Sequence, residues 1–271
     1  MIAAFDIGST RLRYAVGKSD GTLKTEVYSE DTDAEGLSNQ IGQKVKELEK
    51  EIGNRIETVA VASTGLIDRK NKIIKRFDTR DGGYIEDIPP GDDIGDRRLF
   101  LENDTNAGAL GEYFFGSEEN DEHMIRVTIG TGIGAGIIEG GSLLEGLERN
   151  AGEIGHIIVD REGELSQEGI EGSWEAYCSG RGIPEFANSL YPSLDVSDAE
   201  EVFEKAENGK EEAEKALGKV HELNAKALGT VTNLFAPETI VIAGSVAAEN
   251  PEVIDNIEER IGKYCYVNAP E

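Results

Sequence analysis

Cysteine is scarce in this chain: only Cys178 and Cys265 occur in 271 residues. Two cysteines cannot make a disulfide framework, and a chain of this length needs none to bury a substantial core. Aromatic residues are also few, at 6%, with a single tryptophan. No apolar run reaches the roughly 18–20 residues of a membrane span, which argues against an integral membrane protein. No leader is read ahead of the first strand at Ile2, so the expected location is cytoplasmic. Positive charge is in short supply too. Against 54 acidic residues stand 27 basic ones, a formal charge of −27. Such a balance opposes binding to nucleic acid or to anionic membranes. The acidic residues are spread over segments such as Glu200 to Lys219 and are read as a solvated surface. This surplus of carboxylates fits a halophilic source, where salt screens the self-repulsion.

What the chain has in abundance is glycine, 33 residues, concentrated between Thr128 and His156. Gly130, Gly132, Gly134 and Gly136 alternate there among Thr131, Ile133 and Ile137, and Gly152, Glu153, Gly155 and His156 follow. Without a Cβ, the backbone N–H groups of such a run can approach an anion closely. The flanking residues Ile125, Val127 and Ile129, then Ile133, Ile137 and Ile138, predict two strands meeting at a turn. A phosphate-gripping hairpin followed by Glu153 and His156, both able to hydrogen-bond hydroxyls, points to phosphate plus polyol. Crowded strands with tight turns account for the glycines equally well on their own.

Two further segments bear on that choice. Ile2 to Phe5 predicts a buried strand running into Asp6-Ile7-Gly8-Ser9-Thr10, with Leu12, Tyr14 and Val16 alternating on a second strand. Asp6 at a strand end can orient Mg²⁺ through water, while Ser9 and Thr10 offer donors to phosphate. The second segment is Leu99 to Ala107. Its apolar strand ends in Glu102-Asn103-Asp104, and a helix follows over Thr105–Phe115. Asp104 is either the N-cap of that helix or a general base at the C-terminal end of a strand.

In this order the segments resemble the ROK family (repressor, open reading frame, kinase) of sugar kinases, within the actin-like, hexokinase-like ATPases. The glycine signature of that family is satisfied by Ile129 through Ile137, then Gly146, Gly152, Gly155 and His156. The likeness runs from Ile2 to about Ser245. It implies an α/β, two-lobed ribonuclease-H-like fold with a cleft between lobes. The N-terminal lobe is expected over 1–104 and the larger C-terminal lobe over 105–271. It further implies an ATP-dependent hexose kinase, most simply a glucokinase making glucose 6-phosphate. An N-acetylhexosamine kinase, or a catalytically weak sugar-binding regulator, is the alternative. The family's repressors carry a helix-turn-helix before the kinase-like fold; with a strand read at Ile2 and a charge that opposes DNA, a repressor is not the expected reading.

Carried over residue by residue, the resemblance makes Asp104 the general base. Asn103, Glu153, His156 and Glu175 become hydroxyl ligands, and Gly65 lines the sugar pocket. Asp6, Gly8, Ser9 and Thr10 fall on a first phosphate loop, and Gly130, Thr131, Gly132 and Gly134 on a second. Gly244 and Ser245 fall on the adenosine side. The implied cofactors are ATP and Mg²⁺, the implied assembly a homodimer. Many relatives bind zinc through three cysteines and the histidine matching His156. Here Ser166, Glu168 and Ser173 stand where those cysteines would be, so no structural zinc is expected. The family's closing C-terminal strand and helix are expected to be absent or shortened.

Along the rest of the chain, a third strand is expected over Leu23–Tyr28 and an amphipathic helix on Leu37, Ile41, Val45, Leu48 and Ile52. Val59–Ala62 and Ile73–Phe77 read as strands, and Asp78 to Arg98 as loop with a short helical turn. Helices are expected near Trp174–Cys178, Ala199–Glu207, Glu211–Leu234 and Asn250–Lys263, with a strand at Thr239–Ala243.

Overall fold

A computed structural model describes residues 1–79, 83–116, 121–147, 150–161, 163 and 169–270. The fold is mixed α/β and divides into two compact units: Met1–Gly111 with Glu145–Asn150, and Glu112–Leu144 with Ala151–Glu271.

The first unit opens with β1 (Ile2–Ile7), β2 (Arg11–Gly17) and β3 (Tyr28–Asp31). Helix α1 (Leu37–Ile52) leads to β4 (Thr58–Ser63), then β5 (Leu66–Asp68), β6 (Ile73–Asp78), β7 (Tyr84–Ile88) and β8 (Arg98–Asn103). The main sheet has the order β3-β2-β1-β4-β8. Its first three strands are antiparallel neighbours, while β4 and β8 run parallel to β1. That mixture is the ribonuclease-H-like pattern. One face of the sheet buries Phe5, Ile7, Leu12, Val16, Val59, Val61 and Leu101 together with Leu37, Ile41, Val45 and Leu48 of α1. The helical spacing of those four residues is what lets one face of α1 cover the sheet. Strands β5, β6 and β7 form a small antiparallel sheet.

Helix α2 (Asp104–Phe115) begins in the first unit, and the division between units falls inside it. The second unit continues with β9 (Met124–Ile129), β10 (Ile133–Glu139) and β11 (Ser142–Leu143). There follow α3 (Trp174–Cys178), α4 (Gly182–Leu190), α5 (Ala199–Glu207) and α6 (Glu211–Phe235), then β12 (Thr239–Ala243), α7 (Ser245–Glu249) and α8 (Glu252–Ile261). The sheet order is β11-β10-β9-β12, with β12 parallel to β9. Its core joins Ile125, Val127 and Ile129 to Trp174, Ile183, Leu228, Val231 and Ile257. Among the described residues no helix is long and apolar enough to cross a membrane.

Three local expectations need correction. The third strand is Tyr28–Asp31, not Leu23–Tyr28. Leu23 and Val27 are exposed, whereas the Tyr28 ring packs 5.4 Å from that of Tyr14. Aromatic packing across β2 therefore decides which residues pair. The stretch from Asp78 to Arg98 also holds a strand, β7, paired with β6. Its acidic residues Glu86 and Asp87 hide the β signal because the strand lies at a sheet edge. Helix α4 was unexpected because Gly182 and Pro184 sit in its sequence. Both fall in its first turn, where proline costs no intrahelical hydrogen bond.

Candidate active site

Strand register sets which residues stand at the end of the first unit's sheet. Ile7 pairs with Ser63, and Ser63 with Asn103, so β1, β4 and β8 end in one row. The residues just beyond those ends, Gly8, Gly65 and Asp104, therefore emerge along the same C-terminal edge of the sheet. This edge is where α/β folds place ligands.

Each loop at this edge is held by its own hydrogen bonds. Gly8 N donates to Arg11 O at 2.9 Å, which closes the turn containing Ser9 and Thr10. Thr32 Oγ1 donates to Gly8 O at 2.8 Å. Asp6 lies half-exposed on β1 opposite Arg13, whose Nη1 is 3.3 Å from Asp6 Oδ2. Gly65 has φ +86°, and a Cβ there would lie 1.9 Å from Arg76 O. No other residue fits at Gly65 without moving β6.

The helix cap falls on a different residue from the one the sequence suggests. Asn103 Oδ1 accepts from Thr105 N at 2.9 Å, Thr105 Oγ1 at 2.6 Å and Asn106 N at 3.3 Å. Asn103 is thus the capping side chain, and Asp104 is the first helical residue. Asn103 Nδ2 reaches Gly65 O at 3.3 Å, joining two of the loops. Asp104 Oδ1 accepts from Thr105 N at 2.9 Å. The helix N-terminus favours a negative charge at that position. The preceding Glu102 is ion-paired to Arg69 Nη1 at 2.9 Å, and its other oxygen accepts from Asn103 N at 3.1 Å. Arg69 and Glu102 brace the turn that carries Asp104, a role the sequence pattern does not reveal.

In the second unit the turn between β9 and β10 is Gly130-Thr131-Gly132, closed by Gly130 N donating to Gly132 O at 3.0 Å. Ala243 pairs with Thr128, so Gly244 and Ser245 emerge beside this turn. A Cβ on Gly130 would lie 3.8 Å from Ser245 N and Oγ. Gly244 has φ +99°, and a Cβ there would lie 2.3 Å from Ile129 O. Gly180, which the sequence reading missed, donates from its N to Gly130 O at 2.7 Å. The N–H groups of Gly130 and Gly180 are thus paired within the protein, and Thr131 at the tip of the turn is exposed. Gly134, one pair further along, sits opposite Thr128 within the ladder rather than in the turn.

Glu153 and His156 are brought together by the short 3-10 turn Ile154–His156. His156 Nε2 stands 3.9 Å from Glu153 Oε2, too far for a hydrogen bond and wide enough for a hydroxyl to bridge. Gly152 and Gly155 explain why this segment lies along β10. Cβ atoms there would lie 2.1 Å from Ala135 O and 2.2 Å from Ile133 O. Glu175, at the start of α3, turns to the hairpin: its Oε2 accepts from Ile133 N at 2.6 Å.

For zinc, the donor set does not suit the ion. Ser166 and Glu168 lie outside the described residues. His156 Nδ1 and Ser173 Oγ are buried without a hydrogen-bond partner among the described residues, yet a serine hydroxyl is a poor substitute for a thiolate. No group of three His, Cys, Asp or Glu placed to hold a metal occurs among the described residues. For magnesium, Asp6 is half-exposed two residues before Gly8, and a single carboxylate suits a hydrated ion carried in with phosphates.

Comparison with known proteins decides the family, because the ROK family model matches residues 2–271. The chain belongs to the ROK family. It is 29% identical over 276 residues to a glucokinase of Thermotoga maritima, covering 96% of this chain and 86% of that protein. It is 31% identical over 247 residues to an N-acetylmannosamine kinase of Citrobacter koseri, covering 90% of this chain and 82% of the relative. A crystal structure of a ROK family glucokinase from Streptomyces griseus in complex with glucose and AMPPNP is similar in fold. Its TM-score is 0.79 at 27% identity, covering 100% of this chain and 92% of that one. The fold of this ROK protein is therefore that of the family's sugar kinases.

Proposed function

We propose that this ROK protein is an ATP-dependent hexose kinase, most simply a glucokinase. The observation that carries the reading is the row Ile7–Ser63–Asn103, which brings Gly8, Gly65 and Asp104 to one sheet edge. The lobes 1–104 and 105–271 are the proposed functional halves, the first with the Asp6 loop and Asp104, the second with the glycine turn and the hydroxyl clamp. Asp104 accepts the proton of a sugar hydroxyl as that oxygen bonds the γ-phosphorus and the bond to ADP breaks. Glu153 and His156 hold neighbouring hydroxyls, with Glu175 beside them. Asn103 contributes through Nδ2, since its Oδ1 is committed to the α2 cap. Gly130 to Gly132, with Gly244 and Ser245, bind the nucleotide. Mg²⁺ carried on the phosphates would supply charge neutralisation, and Asp6 is the residue that would hold it through water.

A homodimer in the cytoplasm is the proposed assembly and location, checked by sedimentation at working salt. The relatives named above include kinases of glucose and of N-acetylmannosamine, so the test is a screen of hexoses and N-acetylhexosamines with Mg²⁺-ATP. It is run at low and at molar salt, with the Asp104→Asn variant beside the parent chain. The variant should lose on the order of 10²-fold or more in turnover while keeping sugar affinity. Turnover unchanged in Asp104→Asn refutes the assignment of the base.

A further inference from the structure

Glu175 stands where the family has a hydroxyl ligand, and it also makes a contact with the glycine turn. Its Oε2 accepts from Ile133 N at 2.6 Å. Ile133 is the first residue after the turn and is 4% exposed, so its amide needs an acceptor from within the protein. A carboxylate is a strong one. The carboxylate also occupies the space beside Gly132, where a Cβ would lie 2.6 Å from Glu175 Oε2.

The other end of Glu175 is anchored. Its neighbour Trp174 is fully buried, and Trp174 Nε1 donates to Asn224 Oδ1 on α6 at 2.7 Å. Trp174 N donates to Ile157 O at 2.9 Å, directly after the turn that carries His156. Gly155 in that same turn packs its Cα against Ile133 O, leaving no room for a Cβ. Ile133 is thus gripped on both sides: its N–H by Glu175, its carbonyl by the segment carrying Glu153 and His156.

We propose that Glu175 is a positioning residue for the nucleotide turn, which it fixes through Ile133 N, so that the hydroxyl clamp and the nucleotide turn are set by one shared joint. The inference rests on the kinase reading above, because it takes the Gly130–Gly132 turn as the nucleotide site. It makes Glu175 matter to nucleotide binding when no sugar is present, which a purely sugar-binding side chain does not.

The test is calorimetric binding of Mg²⁺-ADP and of AMPPNP to the full chain without sugar. Glu175→Ala should weaken both about 10-fold or more, since it removes a charged acceptor from a buried amide. Glu175→Gln keeps an acceptor oxygen and should recover most of the affinity. Gly132→Ala leaves Glu175 in the sequence but pushes its carboxylate aside. The backbone at Gly132 is not left-handed, so alanine is tolerated there. This variant should reproduce the loss, and the double variant Gly132→Ala, Glu175→Ala should be no weaker than either single one. Emission from Trp174 and the thermal midpoint report that each variant is folded. Unchanged nucleotide affinity in Glu175→Ala, with only the sugar KM raised, overturns the inference. So do additive losses in the double variant. Failure of the parent chain to bind either nucleotide overturns this inference and the kinase reading together.

Discussion

His221 should make the second unit acid-sensitive. It lies on α6, 6% exposed, and its Nδ1 has no hydrogen-bond partner among the described residues. Burial, and secondarily the guanidinium of Arg260, lower its pKa from 6.5 to about 4. As pH falls below 6.5, the unfolded chain takes up a proton that the folded chain refuses until about 4. Stability therefore drops with falling pH across that window and is unaffected by this group above it. The loss amounts to about 2 kcal/mol at pH ~5 and about 3 kcal/mol once pH is below ~4. Against a total stability of about 5–15 kcal/mol, that is a large fraction. Many carboxylates also titrate here, so the group is isolated by comparison with His221→Leu, in which they all remain. Urea unfolding is followed by the emission of Trp174, the only tryptophan and a fully buried reporter of this unit. Between pH ~7.5 and ~5 the stability difference, variant minus parent, should grow by about 2 kcal/mol in favour of the variant. Parallel pH profiles for the two proteins would refute a neutral, proton-refusing His221.

Gly244→Ala should destabilise the second unit by about 2–3 kcal/mol, through a left-handed φ and a clash with Ile129 O, and should abolish nucleotide binding; thermal melts and calorimetry check this. Elemental analysis of protein purified without added zinc should find far less than one equivalent, and a stoichiometric zinc lost in His156→Ala would overturn that expectation. Raising NaCl from about 0.1 M to about 1 M should raise the thermal midpoint by several degrees, because 54 carboxylates face 27 basic groups; a falling midpoint would count against a surface strained by its own charge.

Short-range patterns carried most of what could be read from the sequence. The apolar spacing of Leu37, Ile41, Val45 and Leu48 is a property of one helix, and the alternation around Gly130 to Gly134 of one hairpin. Both elements form where the residues predict them. Partners distant in sequence left no such trace. Glu175 and Ile133 are 42 positions apart, and neither residue type announces the other. The cap of α2 was a closer contest. Asn103 and Asp104 are both good capping residues, and the end of β8 in the Ile7–Ser63–Asn103 row decides between them. Gly180 was missed because Gly180-Arg181-Gly182 at the start of a helix reads as an ordinary turn.

The segment Glu145–Asn150 groups with the first unit although the residues on either side belong to the second. The polypeptide consequently passes between units three times, after Gly111, after Leu144 and after Asn150. No single genetic cut can liberate either unit whole. A gene fragment ending at Gly111 would leave Arg69 without Glu145, whose Oε1 lies 3.9 Å from its Nη1. Likewise, a protease nick in one connection would leave two others intact. Dissection of this protein into halves therefore calls for a rewired chain order, with Glu145–Asn150 grafted back by a designed linker.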